Sequence, residues 1–354
     1  MGSSPARGES LEGGAQFARR GRAGVVEDFG DPRAEYAAVR ERVGLADRSA
    51  RGRLLVTGPD ARAWLQGLVT NDVRLLGARQ PALPACILTP TGQVVTDLIL
   101  VLTAEGVLLD LPRPALERAL VMLDGYLIAE DARMEDRSDA TACLSLQGPG
   151  SGAALAAIAL PEGTVAVPAD HTGHGGFDLY LALADATAAW RAARAAGARP
   201  VGEAALNVLR IEAGIPRLGA EIGERTLPAE AALDRTHVSD TKGCYVGQEV
   251  VARMRSRGHA NRALRGLLLE GPDVPAPGDV LLAEGDDRRE VGRVTSAAWS
   301  PALVAPIALG YVRREACEVG TYLRAYRDGG AVGARVVALP FEGAGARPSA
   351  AAAA

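Results

Sequence analysis

Between residues 264 and 338 the chain takes on a texture that restricts its fold more than any other feature. Short strand-forming runs recur at 264–270, 280–283, 290–295, 307–312, 322–326 and 332–338, separated by Gly, Pro and Asp. That rhythm predicts a small all-β barrel or sandwich at the C-terminal end. Upstream the pattern is mixed. A strand at 52–58 leads to Pro59-Asp60, which opens a helix with Trp64, Leu65 and Leu68 on one face and Thr70-Asn71-Asp72 at its end. Strands follow at 83–88 and 94–102, joined by the turn Pro90-Thr91-Gly92, and at 107–111. A helix from Pro114, a charged stretch at 130–139, strands at 141–146 and 176–182, and helices at 153–159, 185–196 and 203–213 complete the first part. Residues 25–50 show only short polar–apolar segments. Helices and strands without regular βαβ spacing indicate an α+β fold.

At 354 residues the chain is long enough for two or three domains. Linear boundaries fall at 25–140 and 141–262 for two α+β lobes and at 263–342 for the barrel. Flexible tails are expected at 1–24 and 343–354 by composition. With 48% hydrophobic and 23% charged residues it has an ordinary core-forming composition. No apolar run approaches the roughly 20 residues needed to span a bilayer, and no secretory h-region opens the chain. The four cysteines, Cys86, Cys143, Cys244 and Cys317, form no CxxC pair. That argues against a zinc ribbon, a cluster-ligand set or a disulfide framework, and fits a reducing cytoplasm. Cys86 and Cys143 read as core residues.

Chemistry concentrates at 241–249, the run Thr-Lys-Gly-Cys-Tyr-Val-Gly-Gln-Glu. Five arginines follow, Arg253, Arg255, Arg257, Arg262 and Arg265, so the window 242–265 carries six basic residues and one acid against a whole-chain charge of −4. Such a patch suits a phosphate, a polycarboxylate or a nucleic-acid backbone, or is a solvated helix face. A helix over 248–257, with Gly258 as its stop, would place Cys244 just before a positive helix end and two residues from Lys242. Both effects favour a thiolate. The alternative is a small residue in a glycine-flanked turn. His237 and His259 bracket the cysteine but read as surface residues. His171 and His174 form an HxxH that lacks the further ligands a metal site needs.

Two carboxylates stand out elsewhere. Asp97 lies where a strand can turn an acid inward, as a proton acceptor or an orienting group. Glu212 ends an apolar helix, where the dipole disfavours it, and so calls for a dedicated partner. An N–C–N edge like that of a pterin is one such partner, and a neighbouring arginine is the plainer one.

The segments at 65–73, 88–100, 209–234, 241–258, 291–301 and 307–315 together resemble the folate-binding fold of the glycine-cleavage T-protein, GcvT, in that family's order. Lys242-Gly243-Cys244-Tyr245, then Gly247-Gln248-Glu249, resembles the mark of its YgfZ branch. The resemblance implies a three-lobed ring with a central folate site and a C-terminal β-barrel. It also implies tetrahydrofolate or a one-carbon derivative as cofactor, and a link to iron–sulfur cluster assembly or repair and to tRNA modification. Iron–sulfur enzymes or assembly proteins are then possible partners, with no direct nucleic-acid contact and no membrane. Carried over by residue, Glu212 matches the acid that holds the pterin, and Asp97 one of two adjacent acids, the other being Thr96 here. Cys244, Lys242 and Asp97 are the catalytic candidates. Glu212, Asp97, Arg253, Tyr245 and Gln248 are the folate-binding candidates, the arginines suiting a polyanionic glutamate tail. No metal site is expected.

Three functions follow. The first is a tetrahydrofolate-binding factor for iron–sulfur enzymes with Cys244 as the key thiol. The second is a folate-dependent aminomethyltransferase or demethylase using Asp97. The third is a non-catalytic scaffold using the basic patch.

Overall fold

The computed structural model describes residues 16–17, 25–257, 260–327 and 330–343. The expected tails at 1–24 and 343–354, the helix stop at Gly258 and His259 therefore fall wholly or largely outside the described residues. The chain divides into two compact units. One comprises Met1–Leu88, Val95–Leu206 and Thr236–Val246; the other comprises Thr89–Val94, Asn207–Arg235 and Gly247–Ala354.

The strands of the first unit are, in chain order, β1 (Gln16–Phe17), β2 (Val26–Asp28), β3 (Gly44–Asp47), β4 (Gly52–Thr57), β5 (Ala82–Leu88), β6 (Val94–Leu102), β7 (Val107–Leu111), β8 (Arg133–Asp136), β9 (Thr141–Gln147), β10 (Val165–Pro168), β11 (Gly176–Ala182) and β12 (Arg199–Pro200). They make a two-stranded sheet, β1-β2, and two five-stranded sheets, ordered β10-β11-β9-β3-β12 and β5-β6-β7-β4-β8. Leu55, Val101 and Leu108 of one sheet pack on Cys143, Val167 and Tyr180 of the other. The far face of the first sheet packs Leu45, Leu144, Leu179 and Leu181 against Trp190 and Ala189 of the helix Ala186–Ala195. Alternation along each strand thus sends one set of side chains between the sheets and the other under helices.

Several elements of this unit escaped the sequence reading, among them the short strands β2, β3, β10 and β12. Residues 25–50 hold the helix Pro32–Glu41, started by Pro32 and capped by Asp31, whose side chain accepts from the Ala34 amide. The charged stretch at 130–139 contains β8, an edge strand. Charge on an edge blunts further pairing, so it hides the strand signal.

In the second unit β13 (Arg262–Leu269), β14 (Val280–Ala283), β15 (Asp286–Ser300), β16 (Ala305–Arg313), β17 (Tyr322–Arg327) and β18 (Gly330–Val337) close into a barrel in the order β13-β16-β15-β14-β17-β18. Of the two architectures left open, the barrel is the one formed. Its interior holds Leu267, Leu281, Val291, Val294, Ala308, Leu323 and Val336. Outside it, Ile211 joins Leu264, Ile307, Leu309 and Phe341 in a second cluster, which fixes the end of the helix Glu203–Glu212. The helix Gln248–Arg257 forms with the expected bounds. Gly92 faces it with φ +83°, and a Cβ there would stand 2.7 Å from Val250 Cβ, so both the conformation and the approach require glycine. No helix among the described residues is long and apolar enough to cross a membrane.

Candidate functional site

The loop after the helix Ala61–Leu68 anchors the motif at 241–249. A helix end leaves carbonyls without intrahelical donors. Here Lys242 supplies them: its Nζ donates to the carbonyls of Gln66 at 2.7 Å, Val69 at 2.5 Å and Asn71 at 2.9 Å. A cation at a helix C-terminus is also favoured by the dipole. Three N–H groups meet three acceptors, so the ammonium of this buried lysine is committed to backbone. Burial draws its pKa down to about 8, with Asp72 opposing. The Tyr245 ring lies under the same Nζ at 5.0 Å and is itself buried, which pushes its hydroxyl up to about 12 with help from Cys86. The Val246 amide donates to Gly67 O, and the Ser239 amide to Thr70 O. Between these anchors Gly243 and Cys244 are exposed. The segment is laced down on both sides of a displayed thiol, and Gly247, at φ +82°, turns the chain directly afterwards.

Asp97 lies two residues from Ile99 on β6, and Ile99 stands opposite Asp110 of β7. Asp110 in turn stands opposite Arg53 of β4. Directly paired side chains share a face, and alternate residues along a strand do too. Asp97, Asp110 and Arg53 therefore face the same side of the sheet. Arg51 holds Asp110 by Nε–Oδ1 at 2.5 Å and by Nη2 to its carbonyl at 3.2 Å. Burial lowers the Arg51 pKa, but Asp110 and then Asp97 raise it beyond the normal value. Asp97 also acts on two neighbours, buried Cys86 and half-buried His237. Burial raises the Cys86 thiol, and the Asp97 charge raises it further. Burial lowers the His237 imidazole below its normal 6.5, Asp97 opposing, which leaves it neutral at pH 7. Oδ1 of Asp97 is buried and has no hydrogen-bond partner among the described residues. An orphaned carboxylate oxygen in such a place costs stability unless something else donates to it. Thr96 is turned away, its hydroxyl bonded to the Asp97 carbonyl at 2.8 Å.

His237 is thus a half-buried residue within reach of Asp97, contrary to the surface position expected from the sequence. Thr70 Oγ1 donates to its carbonyl at 2.6 Å, Asn71 Nδ2 to that of Thr236 at 3.2 Å, and Thr236 Oγ1 meets its Nδ1 at 2.8 Å. Nothing local marks this, because Thr70 and Asn71 lie far upstream. One unit accordingly brings together Asp97, His237, Cys86, Tyr245, Lys242 and Cys244.

The remaining candidates belong to the second unit. Glu212 is buried, with Oε1 accepting from Ser300 Oγ at 2.5 Å and its carbonyl accepting from the Phe341 amide. Its neighbour Arg210 pairs instead with Glu221 at 3.0 Å. Arg253 is exposed on the helix Gln248–Arg257, and Gln248 is half-buried at its start. His171 of the HxxH bonds Asp178 at 2.8 Å. Burial raises that carboxyl, but the charge and hydrogen bond of His171 outweigh burial and hold it far below the usual range. Asp110, Cys143 and Asp178 place possible ligand atoms within 4.8 Å of one another, with Arg51, Tyr180 and His171 bonded to the two carboxylates.

Comparison with known proteins matches residues 10–166 and 162–240 to the GCVT N-terminal domain, and residues 262–342 to the glycine cleavage T-protein C-terminal barrel domain. The chain belongs to the glycine-cleavage T-protein family. It is 33% identical to an aminomethyltransferase of Moorella thermoacetica over 360 residues, covering 95% of this chain and 96% of that protein. To an aminomethyltransferase of Geobacillus kaustophilus it is 32% identical over 337 residues, covering 88% and 91%. The crystal structure of the glycine cleavage system aminomethyltransferase T from Bartonella henselae superposes with a TM-score of 0.86 at 25% identity, over 95% of this chain and 97% of that one. In this T-protein family chain the first matched domain contains Asp97, His237 and Glu212, and the second contains the barrel with Ser300. The fold is GcvT-like, with mixed helix and strand and a closed six-stranded barrel.

Proposed function

We propose that this protein is a tetrahydrofolate-dependent one-carbon transferase of the aminomethyltransferase kind, with Asp97 as the acid–base group. The observation that carries this reading is the buried Asp97 oxygen without a donor, in a family whose similar members are named aminomethyltransferases. Tetrahydrofolate supplies an amine nitrogen as acceptor of the one-carbon unit, and a carboxylate beside such a nitrogen can take or return its proton. The Asp97 charge raises the Arg51 guanidinium, and neutral His237 adds no competing charge. Glu212 is the carboxylate that the resemblance assigns to the pterin edge, and Ser300 orients it. Incubation with tetrahydrofolate and candidate aminomethyl donors, whose carbon is already at the formaldehyde level, should yield methylene-tetrahydrofolate with release of ammonia. Absence of product across those amines would overturn the reading.

A second reading, YgfZ-like support of iron–sulfur enzymes, draws on one observation: Cys244 is exposed between buried Lys242 and Tyr245, the arrangement of a presented thiol. Under it, Cys244→Ala abolishes rescue of an iron–sulfur enzyme defect and leaves the melting temperature unchanged. Full rescue by that variant would sink it. Loss of rescue with retained one-carbon transfer would separate the two readings.

A further inference from the structure

The second unit contains an open cavity of about 870 Å3, a volume within the range of small-molecule sites. One wall is the loop 217–226, and the other is the outer face of the barrel at β15 and β16. Six arginines line it, Arg210, Arg217, Arg225, Arg262, Arg293 and Arg313, against three glutamates.

Their pairing is uneven. Glu221 is fully enclosed by donors: Arg210 Nη1 and the Arg217 amide reach Oε2 at 3.0 Å, while Thr295 Oγ1 and Ser296 Oγ reach Oε1 at 2.8 and 2.6 Å. It has no capacity left for another cation. Arg293 is held by Glu290 at 2.9 Å. Arg262 is held by Glu230 at 3.0 Å, and its guanidinium lies 4.3 Å over the Tyr311 ring. The side chains of Arg225 and Arg313 have no ion-pair or hydrogen-bond partner among the described residues. Arg313 moreover stands directly opposite Arg262 in the β13–β16 ladder. Like charges in that position repel. An anion between the walls would relieve the repulsion and meet guanidiniums that bind carboxylate or phosphate oxygens in pairs. Neither Glu212 nor Ser300 lines the cavity, and Asp97 belongs to the other unit.

We propose that this cavity is a second ligand site, which takes a small polyanion carrying at least two carboxylate or phosphoryl groups between Arg225 and Arg313. The proposal does not depend on the one-carbon reading. It is tested by calorimetric titration of the full chain at low ionic strength with inorganic tripolyphosphate and, separately, with citrate. At least one probe should bind saturably at one site, and the Arg225→Ala/Arg313→Ala double variant should bind it tenfold or more weakly. Both side chains are exposed, so the variant should melt as the parent does. A control double variant at the exposed Arg33 and Arg191, both Ala, should keep the parent affinity. Preference for tripolyphosphate identifies a phosphoryl ligand, and preference for citrate a carboxylate ligand. Saturable binding of neither probe, a loss below tenfold in the cavity variant, or an equal loss in the control would overturn the proposal.

Discussion

Asp97→Asn should reduce one-carbon transfer to tetrahydrofolate by about 10²–10⁴-fold, the usual contribution of a positioned acid–base group. The amide has nearly the same shape but cannot take up a proton at the substrate nitrogen. Stability should hardly change, because the buried Oδ1 accepts no hydrogen bond among the described residues. The cost of burying a charged carboxylate there is also removed by the substitution. A rate within threefold of the parent, measured as methylene-tetrahydrofolate formed under saturating donor, would remove Asp97 from the chemistry.

Lys242→Met should be the most damaging change in the 241–249 motif, through stability rather than through reaction. It keeps the aliphatic stem but strips donors from the carbonyls of Gln66, Val69 and Asn71 at a helix end. Leaving buried acceptors unsatisfied, with the charged donor gone, costs roughly 2–4 kcal/mol. The loss should register as a lowered thermal transition of the first unit. Cys244→Ala, two residues away on an exposed stretch, should leave that transition in place. Equal melting of the parent and Lys242→Met would show that the lysine does not hold the loop. Its conspicuous place beside a cysteine would then call for a chemical role after all.

These two residues show what a sequence reading can and cannot reach. The barrel was legible because its strands alternate with Gly, Pro and Asp over a short span. The helix Gln248–Arg257 was legible from its spacing. Lys242 looked like an activator of Cys244 because the two are close in sequence. The groups it actually binds lie more than 170 residues upstream, and no local pattern announces a lysine that caps a distant helix. His237 was misplaced for the same reason, since its position is set by Thr70 and Asn71. Asp97 was found as a residue, but its distinguishing property, an oxygen that the fold leaves without a donor, exists only in three dimensions. The uncompensated arginines Arg225 and Arg313 are likewise unremarkable in sequence, and become a pair of walls only when the barrel closes.

The central claim, that tetrahydrofolate is held at Asp97, is tested most directly by equilibrium titration of the full chain with tetrahydrofolate, parent against Asp97→Asn. The account predicts saturable binding to the parent and binding at least tenfold weaker to the variant. Equal affinity for the two proteins, or no saturable binding to the parent, would contradict it.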